Sequence, residues 1–429
     1  MPARSGVGSL AALVAIALSL ACQSPPPAAS DPDDPFDALR ALARTIVESA
    51  EIARVDEAAS VPNGRGEGAL HVLRLLRRAV DEELAWADTA HPFFQVQDER
   101  FAKLALGNPD NLYLVTRVDD DAIYRITGRL GTTADFNVQV YQGYPGVHRP
   151  FRAFGAMGLD TLVTDEAGRF EVVVGGPPRE ENWIELAPDS RRILVRFTYG
   201  DWATEEAGEI TIERVGERGT RSNPVSDAEV ARRIAATADY LEDALRGYSR
   251  TVDEVYAGLL PNSLRAMRRM SGAVGGLSNQ YNATGRYAVD DETALVVTTR
   301  PSKSRYQGFQ IGTEWFEALD FVNATTSLNT EQARLSPDGV YRFVISTLDP
   351  GVANWLDASA APQGQMLLRW QGVAEELGDE HEPTVELVPF AEVRSRFPDD
   401  EPAFTAEDRR VQIAERQRAV GRRYGLSRR

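Results

Sequence analysis

Apolar residues recur at three- and four-residue steps in the early part of the chain. They form two runs: Phe36, Leu39, Leu42, Ile46 and Ala50, then Leu73, Leu76, Val80 and Leu84. This spacing places each run on one face of a helix, and the glycines between the runs indicate a helical hairpin. A third amphipathic segment ends at Leu106-Gly107, before Asn108-Pro109. The pattern therefore predicts a helical region over 36–108.

Beyond this region the pattern changes to short strands, and two segments, 109–216 and 287–390, carry the same anchors in the same order. The matched anchors are Gly168 and Gly339, Asn182-Trp183-Ile184-Glu185 and Asn354-Trp355-Leu356-Asp357, and Leu194-Val195-Arg196-Phe197 and Leu367-Leu368-Arg369-Trp370. The glycine–tryptophan separations are 15 and 16 residues, and the tryptophan–arginine separations are 13 and 14. Short strands at regular turn spacing are typical of β-sandwiches. We therefore expect an α+β protein with two tandem antiparallel β-sandwich units of jelly-roll-like form.

Two further segments are predicted to be helical. Between the copies, 217–286 is expected to be a helical insert, with capping boxes at Ser226–Glu229 and Thr251–Glu254 that start two helices. After the copies, 391–429 is expected to be a basic C-terminal helix or tail, because 409–429 contains eight Arg and one Glu. This tail either attaches to anionic envelope polymers or lipid headgroups or folds back on the acidic body.

The N-terminus has the features of a bacterial export signal. Leu10 to Ala21 form an apolar run interrupted only by Ser19, and Cys22 follows directly. This ending resembles the lipobox of bacterial lipoproteins, although leucine usually occupies the position of Ser19. The chain has no second cysteine for Cys22 to pair with, which favours lipidation over an ordinary secretory signal. We predict a signal peptide over 1–21, lipidation at Cys22 and a Pro-rich acidic spacer over 22–35.

Composition and charge limit the classes of partner that the protein is expected to bind. The chain has 429 residues, 43% of them hydrophobic, and a formal net charge of −17, which is typical of a globular protein. The length suggests two or three domains. The acidic balance opposes nucleic-acid binding, because phosphate backbones would be repelled. The expected partners are a membrane, through lipidated Cys22, and an envelope glycan or anionic polymer.

The Asn-Trp-Leu/Ile-acid unit and the apolar-Arg-aromatic strand together resemble a bacterial envelope family catalogued as a domain of unknown function, number twelve-fourteen. The second copy, with Asp349–Asp357 and Leu367–Gln371, resembles that family more closely than the first. The resemblance covers about half of the mature chain. It implies a β-sandwich-like fold at the cell envelope and brings no established catalytic residues.

The repeated motif supplies the candidate ligand-binding residues. They are Asn182, Trp183, Glu185 and Arg196 in the first copy, and Asn354, Trp355, Asp357 and Arg369 in the second. Tryptophan would stack on a sugar or apolar ring, asparagine would supply amide bonds, and arginine would bind an anionic group. The alternative is architectural: the asparagine forms a turn, the tryptophan fills the core, and the acid pairs with the strand arginine. Recurrence in both copies favours this alternative.

No catalytic residue, metal ligand or cofactor is predicted. The four histidines, His71, His91, His148 and His381, show no metal-ligand spacing. The acidic runs 119–121 and 290–292 lack the alternation and glycine of a calcium-binding loop. The sequence also contains neither a nucleophile elbow nor a phosphate-binding lysine loop.

Three function classes remain open. The favoured class is binding of an envelope glycan or amphipathic small molecule in an aromatic-lined groove in or between the sandwiches. The first alternative is a structural or assembly lipoprotein with a protein partner, and the second is a glycan or lipid hydrolase with an unidentified carboxylate pair. Tandem copies and the missing nucleophile favour the first two classes, so an enzyme is less expected.

Overall fold

The computed structural model describes residues 31–425 except 86, 145–146, 149–150, 257, 271–275 and 278. Within these residues the protein is a mixed α and β structure, with several antiparallel or mixed sheets and a few helices. The predicted signal peptide, Cys22 and most of the predicted spacer lie outside the described residues.

Three helices pack together beside the sheets. They are α1 (Pro35–Val55), α2 (Gly64–Val80) and α3 (Asp227–Tyr256), and a π-helical turn, Asp81–Ala85, extends α2. Asp34 caps α1 by accepting a hydrogen bond from the backbone N–H of Phe36, as Asp does at helix starts. Leu75, Leu241 and Leu245 are fully buried where the helices meet.

Two sequence predictions about helices are wrong. The capping box at Thr251 does not start a second helix, because the Thr251 hydroxyl donates to the carbonyl of Gly247 one turn earlier inside the continuous α3. The third amphipathic segment is not helical either. It contains strand β1 (Gln95–Gln97) and then an irregular stretch, in which Ala105 and Leu106 have positive φ and the Leu106 N–H donates to the Phe316 carbonyl.

The first sheet pair contains strands β1 to β9. The other strands are β2 (Asn111–Arg117), β3 (Tyr124–Arg129), β4 (Asp135–Gln142), β5 (Arg152–Gly158), β6 (Arg169–Val174), β7 (Trp183–Ile184), β8 (Ser190–Thr198) and β9 (Glu209–Arg214). Sheet A has the order β1-β2-β8-β4-β5, and sheet B has the order β7-β6-β3-β9. Ile193, Val195 and Phe197 of sheet A share an apolar core with Ile126 and Val172 of sheet B.

The second sheet pair contains strands β10 to β19. They are β10 (Ser263–Leu264), β11 (Arg268–Arg269), β12 (Tyr281–Ala288), β13 (Thr293–Thr299), β14 (Tyr306–Gly312), β15 (Ser327–Asn329), β16 (Tyr341–Ser346), β17 (Trp355–Asp357), β18 (Gln363–Gln371) and β19 (Thr384–Pro389). Sheet C has the order β10-β12-β18-β14-β15, with β11 also on β12, and sheet D has the order β17-β16-β13-β19. Leu368 and Trp370 of sheet C pack with Leu295 and Phe343 of sheet D.

The strand orders of the two pairs correspond position by position, with β8 equivalent to β18 and β7 equivalent to β17. Strand β12, the counterpart of β2 in this order, begins inside the segment predicted as a helical insert. The sequence does not mark β12 as a strand because it contains small and polar residues. Among them, Asn282 and Thr284 do not point into the apolar core. The sheets are also not wholly antiparallel, since β6 pairs with β7 and β16 with β17 in parallel.

The C-terminal helix α4 (Ala406–Arg423) lies across both sheet pairs. It begins with a capping box between Thr405 and Asp408, and it lies within the segment predicted as a basic helix or tail. Ala419 and Val420 join the core of the first pair. Arg416 is buried and donates to the Phe321 and Ser327 carbonyls beside sheet C. The basic segment is therefore folded back on the body over its described length.

Candidate ligand cavity between the sheet pairs

A cavity of about 1070 Å³ lies where the two sheet pairs meet. Its walls are the outer face of sheet A, the outer face of sheet C, helix α3 and the irregular segment 102–108. The two faces come from equivalent sheets, so strands β8 and β18 lie on opposite sides of one space. This location, at the junction of two packed units, is typical of small-molecule sites.

Side-chain alternation along β8 determines which of its residues face the cavity. Ile193, Val195 and Phe197 point into the core of the first pair. Leu194 and Arg196 therefore point to the other face and line the cavity.

The equivalent strand β18 follows the same rule. Leu368 and Trp370 enter the core of the second pair, whereas Leu367 and Arg369 line the cavity. The structure thus brings together the two arginines that the sequence repeats as strand anchors.

Neither arginine has a carboxylate partner among the described residues. Arg196 donates to the side-chain oxygens of Asn137 at 2.9 Å and Gln139 at 2.7 Å, and to the Tyr141 hydroxyl at 2.6 Å. Arg369 donates to the Gln310 side chain and the Leu106 carbonyl. Neutral oxygens hold both guanidinium groups in position, and the carboxyl groups of Glu99 and Asp110 act on Arg369 without a direct ion pair.

Further arginines surround the same space. Arg78 from α2 forms an ion pair with the fully buried Glu82, and Arg192 from β8 lies 3.8 Å from the same carboxylate. Arg268 and Arg269 on β11 are exposed at the wall formed by sheet C.

Tyrosines and phenylalanines supply the apolar part of the lining. These residues are Tyr113, Tyr141, Phe151, Tyr240, Tyr248 and Phe316. Tyr141 and Phe151 are stacked with their ring centroids 5.2 Å apart. Burial raises the pKa of Tyr248 to about 12, so its hydroxyl is a neutral hydrogen-bonding group at physiological pH.

Tyr113 is in contact with Arg196 and lies within the electrostatic reach of Arg369. The Arg196 guanidinium lies 5.8 Å from the centre of the Tyr113 ring, within the range of a cation–π contact. Burial and the neighbouring Glu99 raise the pKa of the Tyr113 hydroxyl, while Arg196 and Arg369 both act to lower it. Both charges are therefore felt at one aromatic hydroxyl.

Glu99 lies behind the cavity wall. It is fully buried, accepts a hydrogen bond from Gln97 at 2.5 Å, and packs so closely on Gly107 that a side chain at that position would collide with its carboxylate. Burial raises the pKa of Glu99 to about 7, against the opposing effects of Gln97, Arg78 and Arg369. The carboxyl group is thus poised between its charged and neutral forms.

The predicted tryptophans do not reach the cavity. Ile184 and Leu356 enter the two cores, so the adjacent Trp183 and Trp355 point to the outer faces of sheets B and D. Their indole N–H groups donate to the Gly175 carbonyl at 3.0 Å and the Ser346 carbonyl at 3.1 Å. Trp355 is also covered by Arg409 of α4, 5.0 Å from the ring centre.

The predicted asparagines hold neighbouring loops. The Asn182 amide both accepts from and donates to the backbone of Val163, at 2.9 and 2.8 Å. The equivalent Asn354 makes the same pair of bonds with the backbone of Arg334, both at 2.7 Å, and adds the Arg342 carbonyl at 3.1 Å. The asparagines therefore have a structural role, but they bridge to segments 19 and 20 positions away and do not form a turn. The tryptophans likewise lie outside the two cores, in which the architectural alternative places them.

The acidic residues of the motif do not pair with the strand arginines. Glu185 is exposed, and Asp357 accepts from the Ser359 backbone N–H at 2.9 Å. The expected pairs with Arg196 and Arg369 are absent from the described ion pairs, because each acid and its arginine lie on different sheets of a pair. Of the eight candidates, only the two arginines line the cavity.

Sequence reasoning missed Tyr113, Arg192 and Glu99. A signal existed for Arg192, since it has the same parity on β8 as Leu194 and Arg196. No local pattern marks Glu99, because its surroundings come from α2, β2 and β18.

Two further observations concern metal binding and membrane-spanning helices. Among the described residues, no group of three or more His, Cys, Asp or Glu side chains could hold a metal ion. Within the same part of the chain, no helix has the length and apolar character needed to cross a membrane.

Comparison with known proteins identifies structural neighbours of unknown role. No protein-family model and no curated protein matches the chain. An uncharacterised protein from Burkholderia cenocepacia is similar at 27% sequence identity and a TM-score of 0.75, over 83% of this chain and 98% of its own. The VPA0106 protein from Vibrio parahaemolyticus is a weaker match, with 12% identity and a TM-score of 0.42, over 80% of this chain and all of its own.

Proposed function

We propose that this protein is an exported, lipid-anchored binding protein that holds an amphipathic small molecule in the cavity between its two sheet pairs. The observation that carries the proposal is the cavity itself. Its volume of about 1070 Å³ is slightly above the usual range of small-molecule sites. Its lining combines six aromatic side chains with positively charged groups held in fixed positions.

The duplicated architecture supports the same proposal. We regard the two sheet pairs as tandem copies of one β-sandwich unit, related to the envelope family that the motif resembles, because their strand orders correspond throughout. Two copies packed through equivalent faces create a space that neither copy could enclose alone.

The cavity lining favours binding over hydrolysis. A glycosidase needs two carboxyl groups flanking the bond that is cleaved. Glu254 is the one carboxylate among the residues that line the described cavity. Trp183 and Trp355 have structural contacts and do not line the cavity. The proposed site is therefore the space between the two copies and not a groove within each copy.

Binding is tested with the fluorescent amphiphile 1-anilinonaphthalene-8-sulfonate. Thr251 lies on the cavity face of α3, so Thr251→Trp should fill part of the space. We expect wild-type protein to bind the dye at one site, and Thr251→Trp to weaken that binding about tenfold or more. Ala235→Trp, at an exposed position of the same helix, should bind as wild type. Equal binding by all three proteins would show that the cavity is not the site.

Lipid anchoring is tested separately in bacterial cells. Labelled palmitate should be incorporated into the wild-type chain and not into Cys22→Ala, and the variant should leave the membrane fraction, since two or more acyl chains give stable attachment. Unchanged labelling and fractionation would reject the anchor and leave the binding proposal standing.

A further inference from the structure

The cavity has a charge opposite to that of the whole protein. Six arginines and one glutamate line it, whereas the chain carries a net charge of −17. An acidic protein that gathers arginines around one cleft concentrates positive potential there, because low-dielectric walls focus the field.

Arg196 and Arg369 are unusual within this group. Arg78 and Arg192 share the buried carboxylate of Glu82, while Arg196 and Arg369 have hydrogen bonds only to neutral oxygens among the described residues. Arg369 is buried and Arg196 is partly buried, and withdrawing a charge from water without a charged partner in contact is unfavourable. Glu99 and Asp110 act on Arg369 without a direct ion pair, and a bound anion would give both arginines a charged partner in contact.

We infer that the ligand carries an anionic group, a carboxylate, sulfonate or phosphate, which binds between Arg196 and Arg369, the equivalent arginines of the two copies. This inference rests on the proposed function and names the chemistry of its ligand. Guanidinium groups recognise such anions through paired N–H donors. The aromatic lining then accommodates the apolar part of the same molecule.

The test compares two dyes that differ in one group. 1-Anilinonaphthalene-8-sulfonate carries a sulfonate, and N-phenyl-1-naphthylamine has the same rings without it. We expect wild-type protein to bind the sulfonate dye at least about tenfold more tightly. Equal affinity for the two dyes would overturn the anion site and leave the cavity proposal intact, whereas binding of neither would reject both.

Matched variants assign the preference to the two arginines. Arg196→Gln and Arg369→Gln should each weaken binding of the sulfonate dye about tenfold and leave the neutral dye within about twofold of wild type. Arg191→Gln changes an exposed arginine on the same strand β8 and should alter neither affinity. A double Arg196→Gln, Arg369→Gln variant that keeps the wild-type preference would overturn the inference.

Competition in the wild-type protein provides a test that does not depend on the variants folding. Inorganic phosphate or octyl phosphate should displace the sulfonate dye, and failure of both would contradict the anion site. Displacement by octyl phosphate at much lower concentration would identify the anion as the head of an amphiphile. Similar potency would identify it as a free anion.

Discussion

At the scale of single residues, Glu99 shows how the cavity surroundings affect stability. Its carboxyl is faced by Arg78 from α2, Arg369 from β18 and the adjacent Asp98. The hydroxyls of Tyr113, Tyr248 and Tyr424 also lie within its electrostatic reach. Burial dominates these effects and raises the pKa to about 7 from an ordinary value of 4.5.

Between pH 4.5 and 7, the Glu99 carboxyl is therefore mostly protonated in the folded protein and mostly ionised in the unfolded chain. The free energy of unfolding should fall as pH rises through this window and stay lowered above it. Glu99→Gln mimics the neutral form and should be more stable than wild type at pH 8, by up to about 3 kcal/mol, with little difference at pH 4.5. Urea unfolding at both pH values measures this. The exposed Glu166→Gln is the control, and an equal effect at both pH values would contradict the prediction.

The two motif asparagines allow a second prediction at this scale. Asn354 is 3% exposed and makes three backbone hydrogen bonds, whereas Asn182 is half-buried and makes two. Asn354→Ala should lower the free energy of unfolding by about 2–4 kcal/mol, because it leaves buried backbone groups without partners. Asn182→Ala should cost about 1–2 kcal/mol. Equal losses in urea unfolding would mean that the difference in burial between Asn354 and Asn182 does not determine the cost.

At the scale of elements, the sequence predicted where the motif strands lie better than it predicted which way their side chains point. The motif strands β7, β8, β17 and β18 all contain the predicted anchors. The direction of Trp183 and Trp355 depends on which neighbour enters the core, and an isolated two- or three-residue strand does not reveal that parity. In the nine-residue strands β8 and β18 the alternation is readable, and it assigns Arg196 and Arg369 to one outer face.

The basic C-terminal segment shows a different limit of sequence reading. The arginine content of this segment predicts a basic helix or tail but not what its arginines contact. Arg416 is buried against the Trp202 ring, 4.5 Å from its centre, and donates to the Phe321 and Ser327 carbonyls. Arg418, two residues later, is exposed. Tertiary contacts therefore determine which charges of α4 remain available to an anionic partner.

This difference within one helix can be tested directly. Arg416→Met keeps the aliphatic bulk but leaves the Phe321 and Ser327 oxygens without donors, so it should lower the free energy of unfolding by about 2–4 kcal/mol. Arg418→Met should change it by less than about 0.5 kcal/mol, as exposed substitutions usually do. Guanidinium unfolding followed by circular dichroism gives both values. Comparable losses would show that α4 is not held by Arg416.

At the scale of the whole molecule, the two sheet pairs are joined by a buried polar cluster around Asp110. Its carboxylate accepts from the Trp202 indole at 2.6 Å in the first pair. It also accepts from the Tyr306 hydroxyl at 2.6 Å and the Asn329 amide at 2.9 Å in the second. Sequence alone could not locate this cluster, because its members lie up to 219 positions apart. The same junction encloses the cavity.

A fully satisfied buried cluster of this kind should couple the two pairs into one cooperative unit. Asp110→Ala leaves the buried Trp202 indole N–H without its acceptor, which costs about 1–3 kcal/mol. The Tyr306 hydroxyl and the Asn329 amide each lose one bond and keep other acceptors. Because the donors belong to different sheet pairs, the loss should weaken the junction more than either core.

Calorimetry should show one transition for wild type and a broadened or split transition for Asp110→Ala. The exposed Asp121→Ala should unfold as wild type does. If Asp110→Ala only lowers the midpoint and keeps a single sharp transition, the pairs are coupled by α4 and apolar contacts instead. If the junction does separate, binding of the amphiphilic dye should weaken along with it, since both walls of the cavity depend on that contact.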